Sequence, residues 1–417
     1  MTSKLAKLFL GVTLTFGSLT VIPQSSAYAA AGGVSIMLDG YPLPFPVAPV
    51  MMKGTTMVPF RAISEALGIQ VEWNQKARKI TATKTDAAGK KTVVLTLGSK
   101  NAVVNGAVVP LAVAPQDIRG TTMLPLSFFG QQFGAGVSWS QATKTVSITS
   151  PKKDMYTLGF YALESYDQIA MLPSFDAAAF GWSQLDQSGQ YTTAVKPWRW
   201  PQPAGDVTPE SIIQNAAAAG TAPYLMVFSE DGSLELTKNL EDKQLQEQTI
   251  SGIIDTAVQN GFKGIALDLE QLGFSGDKAK AKADYNAFVQ KLTQRAHAAN
   301  LQVTVIVHPL NSAYTGYDYK TLGTLADDLI LMAYAYGDQK SPEPTGLVDE
   351  AIRLALKEVN KDKLILGIST ASENESSMNT KIGLAKRYNL KGVAFWRLGI
   401  IGTAEWAEMQ KSLELQP

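Results

Sequence analysis

Short apolar runs alternate with helical stretches over residues 155–417, and this rhythm predicts an α/β fold, a (β/α)8 TIM barrel. In front of it, a segment that repeats itself at an offset of 66 residues predicts a smaller N-terminal α+β domain made of two repeats. The barrel segment is roughly 260 residues long, the usual size of such a barrel. No Gly-rich phosphate loop follows its first strand, which counts against a dinucleotide fold.

The composition narrows the chemistry. Lys plus Arg and Asp plus Glu each number 37, so no net basic field exists to recruit nucleic acid. The chain has no cysteine and two histidines, His297 and His308. Disulfides, thiolate nucleophiles and Cys-based zinc sites are thereby excluded, and no metal or cofactor is expected. H-E-x-x-H and G-x-S-x-G are both absent, which removes the zincin and serine-hydrolase patterns.

Residues 1–29 read as a signal peptide. Lys4 and Lys7 precede an apolar stretch over residues 8–22, and Ala27-Tyr28-Ala29 supplies a small-x-small cleavage pattern near Ala29. The mature chain is then expected to be secreted, or held in the cell envelope or spore. An uncleaved anchor is the alternative, although the run is short for a bilayer span.

The repeat occupies residues 34–150. Lys53-Gly-Thr-Thr-Met-Val-Pro-Phe60 recurs as Arg119-Gly-Thr-Thr-Met-Leu-Pro-Leu126, and Val71-Glu-Trp73 recurs as Val137-Ser-Trp139. Each unit opens on a strand and a hairpin turn, Asp39-Gly40 or Asn105-Gly106. It continues through Gly-Thr-Thr into an apolar strand and a short helix, and closes on a strand around its Trp and a Thr-rich strand. The pattern resembles the copper amine oxidase N-terminal-like domain, a stalk module. It implies no copper here, because the segment has no His or Cys to ligate one. A spacer or attachment role to the envelope or spore surface is expected, with Trp73 and Trp139 in the cores of the two units.

The expected barrel strands are residues 156–161, 177–183, 223–229, 264–268, 302–307, 329–334, 364–369 and 392–396. Helices are expected over 245–260, 279–299 and 347–359. The fourth strand carries Gly264-Ile-Ala-Leu-Asp-Leu-Glu270. Alternation sends Ile265, Leu267 and Leu269 to the surrounding helices and points Ala266, Asp268 and Glu270 inward. The two acids fall at the carboxyl end of the strand, where barrel active sites are built. Two carboxylates this close raise each other's proton affinity, which keeps one protonated for general-acid work. An N-cap cluster opening the next helix is the alternative reading.

This stretch resembles glycoside hydrolase family 18, the chitinase family with its spore-type peptidoglycan-degrading relatives. The family pattern D-x-x-D-x-D-x-E falls here on Lys263, Ala266, Asp268 and Glu270. The resemblance implies Glu270 as the general acid, Asp268 as its partner, and the substrate's own N-acetyl oxygen as nucleophile. It further implies that Tyr334, in Leu331-Met332-Ala333-Tyr334, holds the acetamide. Trp396 would floor the sugar site, with Met332, Tyr161 and Trp182 as weaker lining residues. Trp198 and Trp200, in a long loop after the second strand, are candidate stacking platforms for sugar rings.

Ala266, Lys263 and Ala335 stand where the family carries acids, and Asp338 is not a substitute by position. These departures leave open a silent saccharide-binding or spore-coat protein on the same barrel. Glu373 and Glu375 after the seventh strand offer a different acid-and-nucleophile pair with Glu270. Glu230 and His308 lie near the mouth. The expected partner is a polysaccharide, peptidoglycan or chitin, and no nucleic acid.

Overall fold

A computed structural model describes residues 34–416 apart from 46, 87, 88, 335, 338 and 339. The expected signal peptide, and positions Ala335 and Asp338, lie outside the described residues.

The N-terminal domain is built by exchange between its two repeats. The opening hairpin of the first unit, Ser35–Leu38 and Tyr41–Pro42, pairs with the closing strands of the second, Thr145–Thr149 and Gly136–Ser140. The closing strands of the first unit, Gln70–Asn74 and Lys79–Asp86, join the second unit's hairpin, Asn101–Val104 and Ala107–Pro110, through the added strand Gly89–Thr96. A third sheet pairs Thr55–Pro59 with Thr121–Pro125 across the junction. Each unit has one short helix, Phe60–Ala66 or Leu126–Phe133, too little to bury a core alone. Interleaving gives the two units one shared apolar cluster. Both hairpin turns have positive φ at both central residues, Asp39 and Gly40, then Asn105 and Gly106, the geometry that matches the strand twist.

Trp73 and Trp139 are corrected by this arrangement. They lie on the outermost strands of their sheets and are 40% and 44% exposed, not buried in the units. An outermost strand leaves the large side chains of its open face in water.

The barrel closes from eight parallel strands in chain order. They are Tyr156–Ala162, Ala177–Leu185, Ala222–Ser229, Gly264–Leu269, Gln302–Val307, Asp328–Leu331, Leu364–Ser369 and Gly392–Trp396, the first pairing with both the second and the last. Alternating side chains divide into two cores. Leu158, Phe160, Met226, Ala266, Ile306 and Ile330 fill the barrel interior. Ile265, Leu267, Leu269 and their equivalents pack outward on helices such as Lys243–Gln259 and Lys278–Ala298.

The N-terminal domain docks on the flank of the barrel, along the helix Glu375–Arg387, with its hydrogen bonds gathered toward the amino-terminal end of the strands. Arg387 closes the helix Glu375–Arg387 and donates to the backbone carbonyls of Leu38, Tyr41 and Pro42 at 3.1–3.3 Å. Lys386 donates to Ser150 Oγ at 3.1 Å, and Lys153 to Asn389 Oδ1 at 2.8 Å.

Candidate active site

The fourth strand lifts two carboxyl groups out of the apolar interior. Ala266 is fully buried in that interior, and Asp268 above it is 4% exposed. Burial first, and then the charge of Glu270, pushes the Asp268 carboxyl well above the usual carboxylate range. Its Oδ1 is buried and has no hydrogen-bond partner. Glu270 follows the strand's last residue, and its backbone N–H still donates to Ser229 O of the third strand at 2.7 Å. Its side chain keeps 25% exposure, facing the mouth. Burial, then the charge of Glu230, raises it to about 7. Two groups this coupled titrate as a pair, and the pair holds a proton near neutral pH.

His308 does not supply the missing countercharge. Its Nε2 lies 3.7 Å from Glu270 Oε2, but burial lowers the ring to about 4, so it is neutral at pH 7. The ring instead stacks on Tyr314, with centroids 4.2 Å apart.

The sixth strand ends at Leu331, three residues before the expected boundary. Met332 still donates its N–H to Val307 O at 3.0 Å, and its side chain, 4% exposed, sits in the barrel interior. Tyr334 packs on the same interior from above. Burial, then the charges of Asp268 and Glu270, pushes its phenol well above the usual range. Gly367 on the seventh strand makes room for this ring: a Cβ there would lie 3.0 Å from Tyr334 Cε1 and 2.9 Å from Leu331 O. Gly367→Ala is therefore expected to displace Tyr334, with about 1–3 kcal/mol of overpacking strain. Thermal unfolding of the variant measures that strain. If Tyr334 contributes to turnover, kcat on a soluble oligosaccharide falls in parallel.

Trp396 ends the eighth strand, half-buried, edge-on to Phe160 at 5.2 Å. Its peptide bond to Arg397 is cis. Trp198 is brought to the same place but is 6% exposed, stacked on Phe228 at 4.5 Å and 6.0 Å from Trp396. It therefore plugs the upper interior and presents no open platform.

Three expected lining residues are corrected. Tyr161 and Trp182 are at the outward parity of their strands and pack with Phe180 in the helix-facing core. Trp200 joins them, 5.3 Å from Trp182, with its Nε1 donating to Glu210. Tyr161 and Trp182 follow plain alternation, since Leu158, Phe160 and Ala162 on the first strand and Ala177 and Ala179 on the second point inward. Glu373 is also engaged elsewhere, buried 3.6 Å from Lys381 Nζ, and Glu375 is exposed on the first turn of its helix.

The sequence did not announce Tyr285 and Tyr317. Tyr317 donates its hydroxyl to Leu269 O at 2.7 Å, directly beneath Glu270, and Tyr285 lies edge-on to it. One arrives on a loop and the other on the buried face of a long helix, where a Tyr looks like ordinary core. Among the described residues, no group of three or more His, Cys, Asp or Glu is placed to hold a metal ion. No described helix is long and apolar enough to cross a membrane.

Comparison with known proteins matches residues 37–148 to the copper amine oxidase N-terminal domain and residues 229–373 to glycosyl hydrolases family 18. The second match spans Asp268, Glu270 and Tyr334. A cortical fragment-lytic enzyme of Bacillus subtilis (strain 168) is 22% identical over 40% of this chain and 53% of its own length. The enzyme of the same description from Bacillus anthracis is 29% identical over 37% of this chain and 38% of its own. The chain thus spans about half or less of these relatives. Among solved structures, the Bacillus cereus spore cortex-lytic enzyme SleL aligns with a TM-score of 0.54 at 16% identity, over 70% of this chain and 82% of that one. A chitinase from Chromobacterium violaceum ATCC 12472 aligns with a TM-score of 0.51 at 18% identity, over 62% and 98%. At these identities the structural likeness speaks for the fold.

Proposed function

We propose, from a chain that carries a glycosyl hydrolase family 18 domain behind a copper amine oxidase N-terminal domain, that the barrel is an exported glycosidase. Its substrate is a β-linked N-acetylglucosamine polymer, peptidoglycan of the spore cortex or chitin. The observation that carries this reading is a mouth-facing carboxyl raised to about 7 beside a second buried one.

In the first step Glu270 gives its proton to the glycosidic oxygen as the C1–O bond breaks, and the substrate's acetamide oxygen bonds to C1. Asp268, whose Oδ1 has no hydrogen-bond partner among the described residues, accepts from the acetamide N–H. Tyr334 donates to the acetamide oxygen and holds it for attack. Trp396 and Met332 form the apolar floor. Water then gives a proton to the Glu270 carboxylate, attacks C1 and reopens the ring.

Two inversions give net retention. Hydrolysis of chitin and of peptidoglycan by the chain lacking residues 1–29 is expected to release products of retained anomeric configuration. A thiazoline analogue of the cyclic intermediate is expected to inhibit. Inverted products would exclude this mechanism. Ala266 sits in a dry interior where the family carries an acid, and this favours one second reading, a barrel that binds glycan without cutting it. Binding without turnover on either polymer would select it.

A further inference from the structure

The exchange between the two repeats leaves a groove beside each outermost strand. In the first, Trp73, and Gln75 just past the strand's end, face Arg61 of the first helix and Thr121 and Thr122 of the other unit. In the second, Val137 lines a groove with Ser127, Gln131 and, from the other unit, Thr55 and Thr56, and Trp139 lies two residues further along the same strand, outside that lining. Each has a volume of about 630 Å³. Each indole is anchored through its edge, Trp73 Nε1 donating to Gln75 at 3.5 Å and Trp139 Nε1 to Gln141 at 3.0 Å. An indole held by its edge keeps its ring faces for stacking, and these two rings are 40% and 44% exposed. Neither groove belongs to the barrel, and the barrel's chemistry uses neither Trp.

The lining states what fits. The second groove contains no charged side chain. In the first, Arg61 is paired with Glu65 at 3.4 Å, and Asp117 accepts the backbone N–H of Gly120 at 3.0 Å. Thr hydroxyls recur in both grooves, and with an exposed indole on each outermost strand they suit a ligand with hydroxyls at its rim and apolar C–H faces. That is a pyranose ring. Two copies fixed in one rigid domain suit a polymer that offers the same ring repeatedly, because the second contact is then intramolecular.

We propose that the N-terminal domain is a two-site glycan anchor, in which Trp73 and Trp139 stack on sugar rings of the polymer that the barrel addresses. The identity of the polymer rests on the glycosidase reading; the placement of the two exposed indoles does not. Docked on the flank of the barrel, the anchor holds the enzyme on its polymer while the mouth stays free.

The test uses the full mature chain carrying Glu270→Gln, so that polymer is not consumed, sedimented with insoluble chitin and with peptidoglycan sacculi. Adding Trp73→Ala and Trp139→Ala together is expected to weaken binding at least tenfold on one of the two polymers, and each alone by less. The Trp73→Phe/Trp139→Phe pair, which keeps an aromatic face, is expected to recover part of the loss, and thermal unfolding checks that the fold is intact. Unchanged binding by the alanine pair, no binding of either polymer by the parent, or loss of chain self-association as the sole effect would overturn the proposal. Hydrolysis of a soluble oligosaccharide by the chain with Glu270 intact is read separately. Failure there with Trp-dependent binding retained would remove the glycosidase reading and leave the anchor standing.

Discussion

Glu270→Gln is expected to lower turnover by roughly 10²–10⁴-fold while oligosaccharide binding survives, the usual weight of a general acid. The amide keeps the shape of the carboxyl and cannot release a proton to the leaving oxygen. The pH profile carries a second expectation with a definite sign. Glu270 is raised to about 7, so its protonated, acid-competent form dominates below that value and is lost as pH rises through it. Turnover of the parent is therefore expected to fall on the alkaline side of about pH 7, and that limb should vanish from whatever residual rate Glu270→Gln retains. Neutral His308 at 3.7 Å cannot take over the role, because its ring, held near 4, carries no proton to give at pH 7. Retention of most of the activity by Glu270→Gln would refute the assignment.

The barrel was legible because its signal is repeated eight times. Each strand reads as a short apolar run, and each expected run overlaps an observed strand, with the largest discrepancy at Leu331. Asp268 and Glu270 were legible for a local reason: along the strand Gly264–Leu269, large apolar Ile265, Leu267 and Leu269 alternate with Gly264, Ala266 and Asp268. Strand alternation also places Tyr161 and Trp182 outward, opposite in parity to Phe160 and Ala179. The loop carrying Trp198 and Trp200 has no such alternation, so its aromatic residues pack on either side of the wall, and composition cannot say which. Trp198 went inside and Trp200 outside, one residue apart from a shared neighbour. The exposure of Trp73 and Trp139 was hidden for a different reason. The repeat reads as two beads in a row, and only the exchange of hairpins between units makes their strands outermost.

The departures from the family pattern also acquire a physical meaning. Ala266 contributes to an interior of Met226, Ile306 and Ile330, so no acid supports Asp268 from below. The orphaned Oδ1 of Asp268 fits that loss, while its raised proton affinity comes from burial and the charge of Glu270. The Tyr317 hydroxyl is spent on the backbone of Leu269 and Leu272. In the glycosidase reading this shifts the work of orienting the acetamide onto Asp268 and Tyr334 alone.

Lys381→Met is expected to be the most destabilising single change near the site. Lys381 and Glu373 are 3% and 1% exposed at their side chains, with Nζ 3.6 Å from Oε2. Lys381 also donates to Glu343 O at 2.7 Å and Thr345 Oγ1 at 3.1 Å, while Glu373 accepts the Glu343 N–H at 3.1 Å. Glu343 in turn accepts the backbone N–H of Tyr336, two residues beyond Tyr334, at 3.1 Å. One lysine therefore ties the segment after the sixth strand to the loop after the seventh. Methionine fills the same volume but leaves Glu373 buried beside no cation, at a cost of about 3–5 kcal/mol. For a domain of this size that lowers the unfolding temperature by on the order of 10 °C. Removing both partners, in Lys381→Met/Glu373→Leu, is expected to recover much of the loss, since no uncompensated charge remains. If the tie also positions Tyr334, the double variant regains stability but keeps a lowered kcat with KM little changed. Full recovery of kcat along with stability would limit the pair to holding the loops together.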